Sequence, residues 1–385
     1  MKELKVKLQK AKKIKFLRNI TVGVVGLIIA LFIVNVAPGY RRDKFKDKIN
    51  LVLDEENVTE NLKHDIYVND NGTVYISEED VRNMFDESIY YDQKYNQIIT
   101  TSDTKVANIV IDKKEMIVNG SNQKMLDAVI RINDEIYLPI SDMTIIYNIG
   151  VQYVQSTNIV IIDNLNKGII RTLVSENTDI RFKPRKLSKV IGELKEGESV
   201  YAFYTTSKGW RKIRTTSGII GYIKANKLTS EYILRQDMEE RETATIISKE
   251  QYNSKSFKIN NKNIIVKNYN ELQNNENEEN ENISINADKV WVTVTNASME
   301  TPINSVIKDY KTRTEFIDII VNKTMENSIN GIVINFNNVQ DENDFKRFII
   351  ELAPKLREIG VTTGIFANDG IKKDDYKDLV EYIVE

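Results

Sequence analysis

The chain has 385 residues, 41% of them hydrophobic and 29% charged, enough apolar material for about two to three globular cores. Its 54 Lys+Arg nearly balance 56 Asp+Glu, which excludes a globally basic nucleic-acid binder. No cysteine and one histidine, His64, exclude disulfides, thiolate metal sites, cysteine lipidation, Ser-His-Asp triads and multi-histidine centres. No cofactor is expected, and chemistry is left to carboxylates, hydroxyls and lysines.

Residues 1–19 form a basic arm, with Lys2, Lys5, Lys7, Lys10, Lys12, Lys13, Lys15 and Arg18 against Glu3 alone. Residues 20–37 are uncharged, with only Thr21 and Asn35 polar. As a helix they would reach about 27 Å, close to the ~30 Å hydrocarbon core of a bilayer. This predicts a single transmembrane anchor in the cell membrane, the arm cytoplasmic and the bulk of the chain outside. Arg41, Arg42, Lys44, Lys46 and Lys48 oppose that orientation without reversing it. A cleaved signal peptide is the alternative, but Asn35-Val36-Ala37 lacks the small residue its cleavage site requires.

Residues 38–64 read as a charged stalk, and residues 65–164 as a small α+β domain built on an internal repeat. At an offset of 62, Tyr75 falls on Tyr137, Phe85 on Tyr147, Ile89 on Val151, Tyr91 on Tyr153, Asn96 on Asn158 and Ile98 on Val160. Each copy predicts a strand entering a short helix (Glu79–Phe85; Ile140–Tyr147). A hairpin follows, turning near Lys94-Tyr95 or Ser156-Thr157. Tyrosines at strand spacing read as core. Over Ile66–Asp163 this pattern resembles the copper amine oxidase N-terminal-type domain of bacterial surface proteins. That resemblance implies a spacer or attachment module and no copper.

Residues 170–232 predict a small all-β barrel of short strands with glycine at the corners. Ile180-Arg181-Phe182-Lys183-Pro184, Gly209-Trp210-Arg211-Lys212-Ile213 and Gly221-Tyr222-Ile223 resemble three successive signatures of the bacterial Src-homology-3-type domain. The resemblance implies binding of cell-wall peptide or a spacer role, with Trp210 and Tyr222 as candidate ligand contacts. Lys208, Arg211, Lys212 and Arg214 could meet an anionic wall polymer or form a solvated strand face. Residues 233–288 read as a linker, its tract Glu271–Asn282 too polar to bury a core.

From residue 289 to 385 strands alternate with helices. Val290–Val294, Gly331–Phe336 and Val361–Ala367 read as strands, and Arg313–Asn327, Glu342–Ile359 and Asp374–Glu381 as helices. Near-continuous apolar strands predict a parallel sheet, with chemistry at its strands' C-terminal ends. Asn330-Gly331-Ile332-Val333-Ile334-Asn335-Phe336-Asn337 is similar to the D-G-x-D-x-D-x-E strand of family-18 glycoside hydrolases, with glycine and apolar spacing kept. The resemblance implies an α/β (TIM-type) barrel that cleaves N-acetylglucosamine glycans such as peptidoglycan or chitin. It would place the proton donor at Asn337 and the aspartates at Asn330, Val333 and Asn335. All four acids are replaced, and a neutral amide has no carboxylic proton to give. Asp369, Glu315 and Asp318 are the remaining nearby acids; they read as a turn residue and solvated helix charges. Trp291, on the preceding strand, is a further candidate ligand contact.

A full barrel needs eight strands. The tract before Trp291 reads as loop, and the chain reaches Tyr382–Glu385 where a sixth strand would start. The expectation is a partial barrel with an open edge, completed by a partner or left by a truncated or decaying gene. The whole is expected to be multidomain and non-catalytic, binding cell-wall glycan or peptide or scaffolding another envelope protein. The alternatives are an active family-18-type hydrolase and a degraded relative without a task.

Overall fold

The computed structural model describes residues 24–30, 48–268, 287–297, 299–368 and 370–385. Residues 24–30 of the expected anchor are helical. The remainder of 20–37, the basic arm and the 271–282 tract lie outside the described residues. Among the described residues no helix is long and apolar enough to cross a membrane. The chain is multidomain and sheet-rich. It divides into two compact units, Met1–Ile76 with Asn148–Met238 and Ser77–Tyr147 with Glu239–Glu385.

After β1 (Asn50–Leu53) and β2 (Glu56–Asn57), the repeat follows the predicted offset. The first copy runs β3 (Tyr67–Val68), β4 (Val74–Ser77), α1 (Glu78–Met84), β5 (Tyr90–Asp92) and β6 (Gln97–Thr101). β7 (Val106–Val110), β8 (Glu115–Val118) and β9 (Ser121–Lys124) intervene. The second copy runs β10 (Ile130–Ile132), β11 (Glu135–Pro139), α2 (Thr144–Tyr147), β12 (Ile149–Val154) and β13 (Ile159–Asn164). Each hairpin turn is closed the same way. Asn96 and Asn158 take left-handed φ of 49° and 55°, a region asparagine tolerates. Tyr91 and Tyr153 each donate a 2.8 Å hydrogen bond to that asparagine's Oδ1. Tyr75, Tyr137 and Tyr147 are core, as expected, whereas Tyr91 and Tyr153 are half-buried and lock turns.

In the first unit β13 runs parallel to β1. The unit's second sheet comprises β14 (Ile169–Val174), β15 (Thr178–Arg181), β16 (Val190–Leu194), β17 (Ser199–Thr205), β18 (Trp210–Thr215), β19 (Ile220–Lys224) and β20 (Leu228–Arg235). All its pairings are antiparallel, in the order β16-β15-β19-β18-β17-β14-β20. Val174, Ile180, Leu194, Val200, Ile213 and Ile223 fill its core. Gly221 is required there, since a Cβ would overlap Ile180 and stand 2.8 Å from the Arg181 carbonyl. Arg214, 1% exposed, grips Asp163 through two bonds of 2.6 and 2.9 Å and also donates to the Asp54 carbonyl.

In the second unit β5 to β9 form an antiparallel meander. The unit's larger sheet is built from β21 (Thr245–Ile247), β22 (Ser256–Ile259), β23 (Lys262–Asn268), β24 (Lys289–Thr295), β25 (Gly331–Asn335), β26 (Thr362–Phe366) and β27 (Tyr382–Val384). Its helices are α3 (Lys249–Asn253), α4 (Ile303–Lys308), α5 (Tyr310–Glu326) and α6 (Glu342–Glu358). The order is β21-β27-β26-β25-β24-β23-β22, parallel except at the β22–β23 hairpin. On one face Val292, Val294, Ile332, Ile334, Ile365 and Ile383 meet Phe345, Phe348, Leu352 and Leu356 of α6. Arg313 of α5 and Glu351 of α6 form a buried fork of 2.9 and 3.0 Å. The Tyr90 hydroxyl accepts a further bond from Arg313 at 2.7 Å.

Three expectations are corrected. Residues 233–288, read as a linker and loop, contribute the end of β20 together with β21, α3, β22 and β23. Their apolar runs are only three residues long, and long-range pairing makes them strands. The sheet therefore extends past the strands expected at its ends, β23 covering β24, β27 covering β26 and β21 covering β27, and its open edges are β21 and β22. The helix expected over Asp374–Glu381 is a 3-10 turn at Lys373–Asp375 followed by further turns. So short a segment gains little from helix nucleation, and Tyr376 and Val380 reach the core without it.

Candidate functional site

The sheet face opposite α4–α6 takes one side chain from each strand: Ile247, Phe257, Ile264, Trp291, Val333, Phe366 and Val384. Ser248 caps α3 by accepting from the Gln251 amide at 3.2 Å. The helix carries Tyr252 into the same cluster. Its ring stands edge-on to Phe366 at 5.1 Å, and Phe257 stands edge-on to Trp291 at 5.7 Å. The Tyr252 hydroxyl shares a 2.8 Å bond with Thr293 Oγ1. Burial pushes the Tyr252 phenol well above its ordinary pKa, a rise that this bond opposes. The face is thus filled with aromatic side chains.

The motif positions sit along β25. Asn330 ties three strands at their N-terminal ends. Its amide donates to the Val290 carbonyl at 2.8 Å, and its Oδ1 accepts from the Val290 amide at 3.0 Å. Its carbonyl accepts from Thr362 N and Oγ1, both at 3.1 Å. Gly331 lies under Trp291, where a Cβ would meet the indole at 2.5 and 2.6 Å. Val333 is 1% exposed in the aromatic cluster. Asn335 is half-buried at the strand's C-terminal end, opposite Thr295. Asn337 is exposed just beyond it.

Other asparagines there are spent on the backbone. Asn296 accepts from the Asn337 amide at 2.9 Å and donates to its carbonyl at 2.8 Å. Asn304 treats Gln340 N and Asn338 O likewise, both at 2.9 Å. Asn368 donates to the Phe336 carbonyl at 3.0 Å. The sequence reading missed Asn296, Asn304 and Asn368, whose signal was a recurrence of asparagine just after β24 and β26 and in the first turn of α4.

The neighbouring carboxylates are engaged too. Asp341 caps α6 through the Asn343 amide at 2.8 Å. Glu342 accepts from the Lys372 amide at 3.2 Å, and Glu385 pairs with Lys373 at 2.8 Å. Asp318 pairs with Lys355 at 2.7 Å in the helical layer, and Glu315 is exposed on α5. Asp369 lies outside the described residues. Among the described residues no group of three or more His, Cys, Asp or Glu could hold a metal ion.

Of the candidate ligand contacts, Trp291 is 1% and Trp210 6% exposed. Both are core residues, with Lys224 Nζ 4.6 Å from the Trp210 ring centroid. Tyr222 is half-buried. Its hydroxyl lies 2.8 Å from that of Tyr204, and Lys212 Nζ stands 5.4 Å from the Tyr204 ring centroid. Tyr204, half exposed, was missed because nothing in its strand marks it apart from a barrel residue. The basic run is no single stripe: Arg211 pairs with Glu231 at 3.2 Å, and Arg214 is buried.

These features describe a multidomain, sheet-rich protein whose first-unit surface carries a tyrosine pair and whose parallel sheet ends in neutral amides. Residues 53–162 match the family model of the copper amine oxidase N-terminal domain. No curated protein matches the chain. Among solved structures it is similar to ydhD of Bacillus subtilis, to which a sporulation-specific glycosylase role is ascribed. The two are 17% identical with a TM-score of 0.27, covering 32% of this chain and 50% of that one. It is also similar to NlpC2 of Trichomonas vaginalis (9% identical, TM-score 0.16, covering 35% of each chain). NlpC1 of the same organism is 11% identical with a TM-score of 0.16, covering 37% of this chain and 44% of that one. The chain thus spans half or less of each. Overlap this partial assigns neither fold nor function.

Proposed function

We propose that the chain is a non-catalytic, membrane-anchored extracellular protein that binds or scaffolds cell-wall components through its small domains. Its C-terminal sheet is then a glycosidase-like half-barrel emptied of its acids. The observation that carries this reading is the C-terminal end of β25. Asn335 and Asn337 stand where a family-18 enzyme would keep its acids, and asparagines hold the surrounding loops. Loss of general-acid help alone typically removes 10²–10⁴-fold in rate, and Val333 adds a buried residue that cannot hydrogen-bond. The uncharged run 20–37 supports the anchor, and the Src-homology-3-like signatures support wall binding. The half-exposed Tyr204, with the half-buried Tyr222 beside it, forms the aromatic contact for wall peptide or glycan.

The test is sedimentation of the full chain with insoluble peptidoglycan, with reducing ends assayed in the supernatant. Retention without turnover is expected, weakened by Tyr204→Ala combined with Tyr222→Ala. Release of reducing ends above background, or no retention of the unaltered chain, would overturn the proposal.

A further inference from the structure

A cleft of about 290 Å³ opens in the second unit between the end of β6 and helix α6, at the small end of the range for ligand pockets. Ile350, Ala353 and Pro354 of α6, with Leu379, give it an apolar wall. Its charged lining is Asp103, Arg241, Arg357 and Asp378, and these groups are unequally engaged. Arg357 donates from Nε to Glu381 at 2.5 Å, from Nη1 to the Asp103 carbonyl at 3.0 Å and from Nη2 to the Leu379 carbonyl. All three of its nitrogens thus brace the wall. Arg241, its side chain 30% exposed, makes one long hydrogen bond, from Nη1 to Asp103 Oδ1 at 3.4 Å, and the same nitrogen stands 3.8 Å from Glu381. Its Nε and Nη2, the edge that clamps a carboxylate side-on, donate to no protein group among the described residues. Partial burial, and after it the Arg357 charge, hold the Arg241 guanidinium below its ordinary pKa, so an anion on that edge is favoured. Asp378 is exposed and makes no hydrogen bond or ion pair among the described residues, yet its charge is felt at Arg241.

We propose that this cleft binds a free α-amino acid with an apolar side chain. Its carboxylate lies on Nε and Nη2 of Arg241, its ammonium on Asp378, and its side chain against the α6 wall. Charge decides between ligand classes. Glu381 is matched by Arg357 and Asp103 lies against Arg241, which leaves Asp378 as the unmatched charge. A simple carboxylate would fill the Arg241 edge but bring a second negative charge beside Asp103 and Asp378. A simple amine would satisfy Asp378 but leave the guanidinium edge empty and face two arginines. A zwitterion offers each group its opposite and adds no net charge, so neither end is left buried and unpaired. The cleft belongs to the other unit from the tyrosine pair, and the proposal does not depend on wall binding.

Equilibrium dialysis of the full chain in detergent against radiolabelled leucine, in each hand separately, tests the proposal. Saturable binding of at least one hand is expected. Two competitors, 4-methylpentanoate without the ammonium and isoamylamine without the carboxylate, should each compete at least about tenfold more weakly than unlabelled leucine. Arg241→Gln should weaken leucine by at least about tenfold, since it removes the fork. Asp378→Asn alters an exposed side chain that holds nothing in the fold. It should weaken leucine by a similar factor while 4-methylpentanoate competes as well as before or better. That split would not arise from a merely damaged structure. Absence of saturable binding for both hands, a competitor as effective as leucine, or a leucine affinity unmoved by Asp378→Asn would overturn the proposal.

Discussion

If Tyr252 fills the sheet face at the candidate site, removing its ring must cost what a buried aromatic costs. The residue is 3% exposed, packs against Phe257 and Phe366 with centroids 6.0 and 5.1 Å away, and satisfies Thr293 Oγ1 at 2.8 Å. Tyr252→Ala deletes the ring and leaves a cavity, for a loss of about 3–5 kcal/mol. Tyr252→Phe keeps the ring and gives up only the hydroxyl bond, about 0.5–1.5 kcal/mol. Urea unfolding followed by Trp291 emission reads both, in a Trp210→Phe background that leaves one indole. The pH dependence adds an independent check. Burial raises the folded phenol's pKa, so its stabilising share is complete below the unfolded value near pH 10. It is lost as pH rises from there toward the folded value, since the unfolded chain ionises first. The slope is about 1.4 kcal/mol per pH unit, and Tyr252→Phe should remove that share of the alkaline loss. A cost below ~1 kcal/mol for Tyr252→Ala, or an unchanged alkaline slope in Tyr252→Phe, would refute the filled face.

Two further outcomes follow from buried geometry. Glu351→Ala strands the Arg313 guanidinium, whose fork partners are 4% and 2% exposed. It should destabilise by about 3–5 kcal/mol, whereas Arg313→Met with Glu351→Leu should recover most of that; thermal unfolding compares the two. Gly331→Ala drives a methyl against the Trp291 ring and to 2.8 Å from Thr362 Oγ1. It should cost about 1–3 kcal/mol and shift Trp291 emission, and an unchanged spectrum would show that the indole does not lie over the glycine.

Local signals in the chain were enough to reveal its repeat. Asn96 and Asn158 mark left-handed turns, and the strands and helices around them recur at the offset of 62 because each copy closes its hairpin with its own side chains. The strands β24, β25 and β26 were equally plain as apolar runs, and so was the absence of acids along β25. The cover over the site was not. β21, β22 and β23 carry brief apolar stretches among polar residues, and their strand character depends on neighbours far along the chain. β21 pairs with β27 across more than a hundred residues, a choice no local pattern encodes. Burial of the candidates was decided the same way. Trp210, Tyr222 and Trp291 look alike as aromatic residues near strand positions, yet packing buries two and leaves one half-buried. Which residues could carry chemistry was written in their types, because a side chain's protons and charge belong to the residue itself. Which of them can meet a ligand came only with tertiary packing, because exposure is a property of what lies on top.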